Sequence, residues 1–309
     1  MTKVFLTIDT EISCPLSDGW ESNGLAFEYD RDILGRTHDG DFGISYQMDV
    51  MHAHGWRGVF FVEGLFACAA GREPLAKIVK LIQDRGHEVQ LHLHTEWLAR
   101  MKRPLLSGGK TGGNMLCFSR EEQVHLLRTG IDNLLACGVE RVRAFRAGNL
   151  GANHDTLAAL AEVGVEFDSS AYPGGSTGDV MTAGVTEVPI TMFFDYGRHL
   201  RPMQICACSS AEMRGVLMSA WRKRCRAVVI VSHGFELLHR PTEPLQQAGA
   251  SRLRVRRFEE LCRFLGDNRD KFEPATFASL GRAVFAEAPV RSPVHRTAWR
   301  FVEQLADRL

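Results

Sequence analysis

Short β-rich runs alternate with helical patterns along most of this chain of 309 residues, and this alternation limits the folds open to it more than any other feature. The first apolar run covers residues 4–8, and a helical pattern follows at 44–54. The next runs, 58–62 and 88–92, stand on either side of a helical pattern at 74–85. Such alternation is typical of βαβ units, in which the strands lie parallel in one sheet.

The same rhythm continues through the second half of the sequence. Ser119 and, three positions later, Glu122 predict a capping box at the start of a helix that extends to Ala136, with a strand at 142–145 after it. Further helical patterns cover 153–163, 211–224 and 258–265, and further apolar runs cover 165–167, 227–231 and 277–280. About seven strand and helix units predict an α/β fold, a closed or nearly closed barrel over residues 1–285.

Residues 286–309 lie beyond this pattern and form a separate extension. Ser292 and Pro293 can open a helix there. The apolar residues of this segment fall near helical spacing: Val294, Ala298, Phe301, Val302, Leu305 and Leu309. We expect the helical extension to pack on the barrel, with a contact between copies of the chain in a homo-oligomer as the alternative.

Composition excludes several classes of partner. Lysine plus arginine and aspartate plus glutamate number 37 each, so the formal net charge is zero and no overall field draws the chain to nucleic acid or an anionic membrane. The first apolar run ends in Asp9, where a signal peptide would stay apolar, and no window approaches the roughly 18 uncharged apolar residues of a membrane span. The eight cysteines are scattered, as free thiols in a reducing compartment are. We therefore expect a cytoplasmic protein without a transmembrane span.

Two histidines at the end of an apolar run point to metal chemistry. His92 and His94 are two positions apart, and alternate residues of a strand face the same way. Two imidazoles and a carboxylate from elsewhere leave a borderline divalent ion an open position for water. The segment therefore predicts a hydrolytic metal site.

Other predicted strands also end in polar residues that could share this site. Asp9 and Glu11 can divide two duties, one binding the ion and one taking a proton from the attacking water, and the order of these roles stays open. Arg146 could orient a carboxylate base or form a structural ion pair. Asp168 could hydrogen-bond the catalytic groups or form a strand-terminating turn with Asx capping. His233, expected near Asp168, is suited to protonate a leaving amine, since an unperturbed imidazole has a pKa of about 6.5.

Two long loops, 13–41 and 99–118, follow strands that carry candidate ligands. Barrel enzymes build their sites from such loops, so these segments are expected to be either substrate-binding lids or disordered surface loops. The Gly-Lys-Thr at 109–111 does not extend to a Walker A motif, because Pro104 stands where that motif requires glycine. A nucleotide triphosphatase is therefore excluded.

In this order, the pieces resemble the motifs of the polysaccharide deacetylase family, the NodB-like family 4 carbohydrate esterases. The resemblance spans about residues 3 to 280 and takes in five segments: 7–11 resembles the first motif with its base and metal acid, 86–92 the metal-histidine motif, 146–148 the third, Asp168 the fourth, and 231–233 the fifth with the catalytic histidine.

The chain departs from the family pattern in two motifs. Thr10 separates two acids that are usually adjacent, and the position four beyond the first metal histidine is Glu96 instead of histidine. We predict that His94 is the ligand rather than Glu96, because imidazole suits zinc better. The forms His-Leu-His-Thr-Glu-Trp and His-Gly-Phe-Glu-Leu resemble a divergent branch associated with bacterial surface-polysaccharide or O-antigen synthesis.

The resemblance implies a distorted (β/α)7 barrel that hydrolyses the N-acetyl group of an acetamido sugar. The implied metal ligands are Glu11, His92 and His94, and the implied catalytic residues are Asp9, His233, Arg146 and Asp168. Zinc is the first choice of metal, with cobalt, nickel or iron as alternatives. The substrate, free, nucleotide-linked, lipid-linked or polymeric, stays open, and a cytoplasmic intermediate is expected.

Two other functions stay open. An amidohydrolase-like enzyme acting on a small cyclic amide also uses paired histidines on a barrel, but that superfamily carries its His-x-His pair after the first strand, and this chain carries it after about three. A non-catalytic carbohydrate-binding relative would keep the barrel without the metal. His233 and Arg146 argue against it, because binding alone needs neither an acid nor an orienting cation.

Overall fold

The structure, a computed structural model, describes residues 1–12, 24–171, 181–182, 184–195, 199–239, 248–281, 290–291 and 294–306. Its centre is a nine-stranded, mostly parallel sheet. The strands of this sheet, in chain order, are β1 (Thr2–Thr10), β2 (Gly58–Glu63), β3 (Glu88–Leu93), β4 (Ala144–Ala147), β5 (Phe167–Asp168), β6 (Met181–Thr182), β7 (Val185–Glu187), β8 (Ala227–His233) and β9 (Phe272–Pro274).

The sheet curls into a distorted barrel. Seven parallel strands lie side by side in the order β8-β1-β2-β3-β4-β5-β7, β6 pairs antiparallel with β7, and β9 pairs with the start of β1. The segment after β7 returns to β8, where the amide of Thr191 donates to the carbonyl of Val229 (3.1 Å) and the amide of Val231 donates to the carbonyl of Met203 (2.9 Å). The predicted α/β barrel is confirmed.

Helices cover the outside of the sheet. The α-helices of the described residues are α1 (Leu25–Glu28), α2 (Ile44–Ala53), α3 (Phe66–Ala70), α4 (Arg72–Gln83), α5 (Arg120–Ala136), α6 (His154–Glu162), α7 (Ser210–Arg222), α8 (Arg252–Asp267) and α9 (Val294–Ala306). The predicted capping box opens α5: the Ser119 hydroxyl accepts from the amide of Glu122, and the Glu122 carboxylate accepts from the amide of Ser119 at 2.7 Å. The start of this helix, which the local sequence signals predicted, is therefore confirmed.

The two loops predicted as lids are described in part. Residues 13–23 of the first loop lie outside the described residues, and its remainder holds α1, a π-helix at Tyr29–Ile33 and the short strand pair Arg36–Thr37 and Gly40–Asp41. The second loop is built from 3-10 turns at Thr95–Arg100, Ser107–Gly109 and Met115–Cys117. Two further small sheets join Met192–Phe194 with Leu200–Pro202 and Val290–Arg291, and Leu238–His239 with Gly249–Ala250.

One predicted strand is wrong. Residues 277–280 form a turn, and the last strand of the sheet is β9, which comes earlier in the chain. Phe277 fills the inside of the barrel, with its ring centroid 5.0 Å from that of Phe5, 5.7 Å from Phe61 and 5.6 Å from Phe167. An aromatic residue that plugs a barrel is as apolar as one in a strand, so the short pattern could not distinguish the two.

The C-terminal helix α9 packs on the barrel through polar side chains. Thr297 and Arg300 are buried against the protein, and Glu303 accepts from Arg257 at 2.6 Å. Of the apolar residues whose spacing predicted this helix, Ala298, Phe301, Val302 and Leu305 are exposed instead. The apolar face therefore does not attach the helix to the barrel.

Every helix among the described residues is too short or too polar to cross a membrane. The described cysteines are free thiols, and Cys14 lies outside the described residues.

Candidate active site

The carboxyl ends of the parallel strands open into one cavity of about 310 Å³. Strand register brings the polar ends level, because Asp9 of β1 pairs with His233 of β8 and His92 of β3 pairs with Arg146 of β4. Five of the seven residues proposed from the sequence line the cavity: Asp9, Glu11, His92, His94 and His233. The other lining residues are Ala147, Asn149, Leu150, Ile190, Pro202, Gln204 and Val231. Arg146 and Asp168 are buried outside this lining.

Glu11, His92 and His94 form a group that could hold a metal ion. One oxygen of Glu11 lies 2.7 Å from Nε2 of His94 and 3.2 Å from Nε2 of His92. One ligand atom from each of the three residues lies within 4.8 Å of the other two. This distance suits donors around one small divalent ion, because metal to nitrogen and metal to oxygen bonds are about 2.0–2.2 Å.

The second nitrogen of each imidazole is held by an acceptor. Nδ1 of His92 donates to the carbonyl of Arg146 at 2.8 Å, since a carbonyl can only accept. Nδ1 of His94 lies 3.2 Å from the carboxylate of Glu96. Both rings therefore present Nε2 to the cavity, which is the orientation that acceptors behind metal-binding histidines impose. Glu96, considered above as a ligand, stands behind His94 and away from the Nε2 atoms.

The electrostatics of the group also suit a cation. Burial alone would raise the pKa of Glu11, but the charges and hydrogen bonds of His94 and His92 hold it well below 4.5. Burial would lower the pKa of His94, but the charge of Glu11 raises it to about 11. A cation that takes the Nε2 lone pair of His94 therefore releases a proton.

Asp9 is fixed by a buried arginine. Nη1 of Arg146 donates to the carboxylate of Asp9 at 2.6 Å and to the hydroxyl of Thr7 at 2.9 Å. The other guanidinium nitrogens donate to the carbonyl and the hydroxyl of Ser169, at 3.2 and 3.0 Å, and the ring of Phe61 lies 4.3 Å from the guanidinium carbon. Because these contacts fix the guanidinium of Arg146, they also fix the orientation of the Asp9 carboxylate at the cavity wall.

His233 has a carboxylate partner that sequence analysis missed. Nδ1 of His233 lies 2.7 Å from Glu236, whose other oxygen accepts from the amide of Cys206 at 2.8 Å. Burial would lower the pKa of His233, but Glu236 and the charges of Asp9 and Glu11 raise it to about 9. The pKa of Glu236, which burial would raise, is lowered to about 2 by His233. The sequence signal was the spacing of three residues: once β8 has ended, the chain turns, and the side chain of Glu236 can reach back to the ring of His233.

A solved structure with the same architecture identifies the fold. A candidate polysaccharide deacetylase from Mycobacterium smegmatis aligns with 90% of this chain and 87% of its own at 17% identity, with a TM-score of 0.57. The chain has the polysaccharide deacetylase fold. A family 4 carbohydrate esterase from Streptomyces lividans in complex with acetate aligns at 11% identity over 93% of this chain and 98% of its own, with a TM-score of 0.41.

A family 4 acetyl xylan esterase from Clostridium thermocellum, in complex with a cobalt ion, aligns at 12% identity over 90% of this chain and 89% of its own, with a TM-score of 0.41. No family model matches the sequence, and no curated protein matches it. The comparisons therefore concern the deacetylase fold alone.

Asp168 was expected near His233, but in this polysaccharide deacetylase fold it does not contact it. Its carboxylate accepts from the hydroxyl of Ser170 at 2.7 Å, and that hydroxyl accepts from the amide of Ala147 at 2.8 Å. Burial raises the pKa of Asp168. The expected place near His233 is taken by Glu236, because β5 pairs with β4 and β7 and does not adjoin β8. Asp168 is thus placed to position the end of β4.

The segment that follows β4 in this deacetylase fold packs against the ring of His94. A Cβ at Gly148 would lie 2.8 Å from the ring of His94 and 2.8 Å from the carbonyl of Leu93, so only glycine fits. Asn149 and Leu150 both have positive φ, of 54° and 53°. The side-chain nitrogen Nδ2 of Asn149 donates to Glu96 at 2.9 Å, which links this strained turn to the carboxylate behind His94.

Glu63, at the end of β2, was also missed. It is fully buried, accepts from the amide of Leu65 at 2.6 Å and accepts from the amide of His94. Burial raises its pKa to about 7. The residue holds the backbone at His94, and no sequence pattern distinguished it from other strand-end acids.

Proposed function

We propose that the chain is a metal-dependent hydrolase that removes the N-acetyl group from an acetamido sugar. One observation carries the proposal: a group able to hold a metal, an arginine-fixed carboxylate and a histidine paired with a carboxylate all serve one cavity. These are the parts that amide hydrolysis requires, because it needs an activated water and a protonated leaving amine.

Glu11, His92 and His94 would hold the ion. The donor set of two imidazoles and one carboxylate fits zinc, and cobalt, nickel and iron take the same donors. A bound divalent ion would supply Lewis acidity, polarising the acetyl carbonyl and acidifying the attacking water. Both Nε2 atoms face this position because Glu96 and the carbonyl of Arg146 occupy the other ring nitrogens.

Asp9 is the proposed base. Glu11 is committed to the two histidines, whereas Asp9 lines the same cavity and contacts Arg146. Its task is to take the proton of the attacking water. Arg146 acts as a positioning residue, since it touches the base and does not line the cavity. This division assigns the two acids that the sequence left interchangeable.

His233 is the proposed general acid. It lies level with Asp9 on the neighbouring strand and lines the cavity. A pKa of about 9 keeps it protonated at neutral pH, so it can donate a proton to the departing amine nitrogen. Glu236 orients the ring by accepting from Nδ1 and leaves Nε2 as the donor toward the substrate.

The cavity volume of about 310 Å³ lies at the small end of ligand pockets, which run from roughly 300 to 1,000 Å³. It suits a single sugar ring with its acetamido group. We place the substrate among intermediates of bacterial surface-polysaccharide (O-antigen) synthesis, nucleotide-linked or lipid-linked and cytoplasmic. This assignment is supported by the resemblance of residues 92–97 and 233–237 to forms that recur in the branch associated with that synthesis.

Metal analysis followed by an acetate-release assay tests the proposal. The purified protein should contain one zinc per chain and release acetate from at least one of a panel of acetamido sugars, offered free and nucleotide-linked. Chelation should abolish release and zinc should restore it. His92→Ala should lose both metal and activity, whereas His125→Ala, an exposed histidine on α5, should keep both.

The other candidate functions give different results. Zinc with turnover of cyclic amides alone would support an amidohydrolase-like enzyme, although the histidine pair here follows the third strand of the sheet in chain order. A protein that binds glycans equally well with and without metal, and releases no acetate, would support a carbohydrate-binding barrel.

A further inference from the structure

The amphipathic pattern of α9 is reversed with respect to the protein. Its inward residues are polar, since Thr297 and Arg300 are 2% and 3% exposed. Its outward residues are apolar: Trp299, Phe301, Val302 and Leu305 are 57–65% exposed. A surface helix of a globular protein normally buries its apolar stripe and exposes its polar one. The orientation of α9 is therefore that of a helix whose outer face is covered by another molecule.

The inward contacts of α9 hold this orientation. Arg300 lies 3.3 Å from the carboxylate of Asp195, and Thr297 donates to Glu212 at 3.2 Å. Glu303 accepts from the fully buried Arg257 at 2.6 Å. Turning the helix to bury its apolar stripe would break these buried ion pairs, which is strongly destabilising. The helix is thus held with its apolar stripe outward.

The outer face is the largest concentration of exposed apolar side chains in the described part of the chain. Eight large hydrophobic residues are exposed among the described residues, and four of them lie on α9. Aromatic side chains bury roughly 150–250 Å² each when fully covered, so the four together expose on the order of 400–500 Å². Patches of about this size on a monomer are often functional.

We propose that the outer face of α9 binds the same face of a second copy of this chain, with the two helices antiparallel about a two-fold axis. A zero formal net charge leaves no overall repulsion between copies. The face is also self-complementary. An axis between residues 301 and 302 sets the small Ala298 against the large Leu305 of the other copy, and Phe301 against Val302, as interdigitating packing requires.

The size of the patch sets the strength of the contact. Two copies would cover about 1,000 Å² in total, which is the lower limit for a specific interface. We therefore expect a weak dimer with a dissociation constant of roughly 1–100 µM. The interface lies on α9 and uses none of the residues of the proposed metal site, so the inference does not depend on the proposed reaction.

Sedimentation velocity between about 1 and 500 µM tests the inference on the full chain. The wild type should pass from monomer to dimer in this range, and Phe301→Glu should raise the dissociation constant at least about 100-fold because it buries two like charges at the axis. Leu135→Glu is the matched control: Leu135 is 42% exposed on α5, so the same substitution there should leave dimerisation unchanged.

Thermal denaturation of the two variants separates the remaining outcomes. Under the proposal, monomeric Phe301→Glu unfolds close to the temperature of monomeric wild type, because Phe301 is 60% exposed and its ring lies against Arg300 of its own helix, with the centroid 4.7 Å from the guanidinium carbon. A wild type that is monomeric at every concentration, or a dimer that Phe301→Glu leaves intact, would overturn the inference. So would a marked fall in the unfolding temperature, which would mean that the face is covered by this chain itself. Phe301-dependent binding of a monomer to phosphatidylglycerol vesicles would instead assign the face to a membrane.

Discussion

Replacing Glu236 by glutamine tests the role of the carboxylate behind the proposed general acid. Glutamine keeps the size of the side chain and an oxygen that can accept from the amide of Cys206, but it removes the negative charge 2.7 Å from His233. Without that charge, the burial that lowers the pKa of His233 has less to oppose it. The Glu236→Gln substitution should therefore move the pKa of His233 from about 9 down toward its ordinary value of 6.5 or lower.

The size of the effect follows from these two values. The difference between about 9 and 6.5 corresponds to roughly 3 kcal/mol of preference for the protonated ring. At pH 8 a ring of the higher pKa is about 90% protonated and one of the lower pKa about 3%, so kcat/KM should fall about 30-fold. At pH 6 both rings are largely protonated and the loss should be less than about 2-fold. A general acid loses its activity as the pH rises through its pKa. The lower pKa of His233 in Glu236→Gln therefore moves the alkaline limb of the pH profile to lower pH.

The assay is the pH dependence of acetate release by zinc-loaded protein, with the ¹⁵N chemical shift of His233 as a readout independent of turnover. A bound divalent ion adds positive charge and lowers the pKa of His233 in wild type and variant alike, so the pH values at which the 30-fold and 2-fold losses are expected move down together. Glu140→Gln removes an exposed carboxylate and should change neither readout. An unshifted alkaline limb in Glu236→Gln, with activity reduced equally at every pH, would refute the assignment and leave Glu236 a merely structural residue.

Three further predictions concern the groups that support the site. Glu96→Gln should weaken zinc binding about 10- to 100-fold in competition with a chromophoric chelator, because the acceptor behind His94 loses its charge, and unchanged affinity would contradict that role. Gly148→Ala sets a Cβ 2.8 Å from the ring of His94 and should weaken zinc binding in the same assay; Gly249→Ala, whose Cβ meets nothing within 4 Å, should not, and equal effects would count against the close approach. Arg146→Met removes the cation from a buried ion pair and should lower the free energy of unfolding in urea by about 3–5 kcal/mol and abolish acetate release; a loss below about 1 kcal/mol would be inconsistent with the buried pair.

The metal group was accessible to sequence reasoning because each of its parts depends on local geometry. The period of two in a strand put His92 and His94 on one face, and the carboxyl ends of parallel strands meet at one edge of a sheet. Neither rule says which acid stands next to the histidines. Asp9 and Glu11 share a face and are both acids, and they are separated by their contacts in the structure: Glu11 lies against the two histidines and Asp9 against Arg146.

Partners set by distant parts of the chain were not accessible in this way. Asp168 was expected near His233 because both end a strand, and only the order of the strands shows that β5 does not adjoin β8. Glu236, by contrast, was within reach of sequence reasoning because it follows His233 by three residues. Phe277 resembled a strand residue because an apolar side chain has the same pattern in a strand and in a barrel interior. Such distinctions depend on contacts between residues far apart in sequence.

The sequence by itself determined the barrel of alternating strands and helices, the capping box of α5 and the common face of the paired histidines, because periodicity and capping act over a few residues. The tertiary structure alone decided that Arg146 holds Asp9, that Asp168 stays away from His233, and that α9 turns its polar face inward. The physical reason is that buried charges require partners, and the fold determines which partner lies within reach.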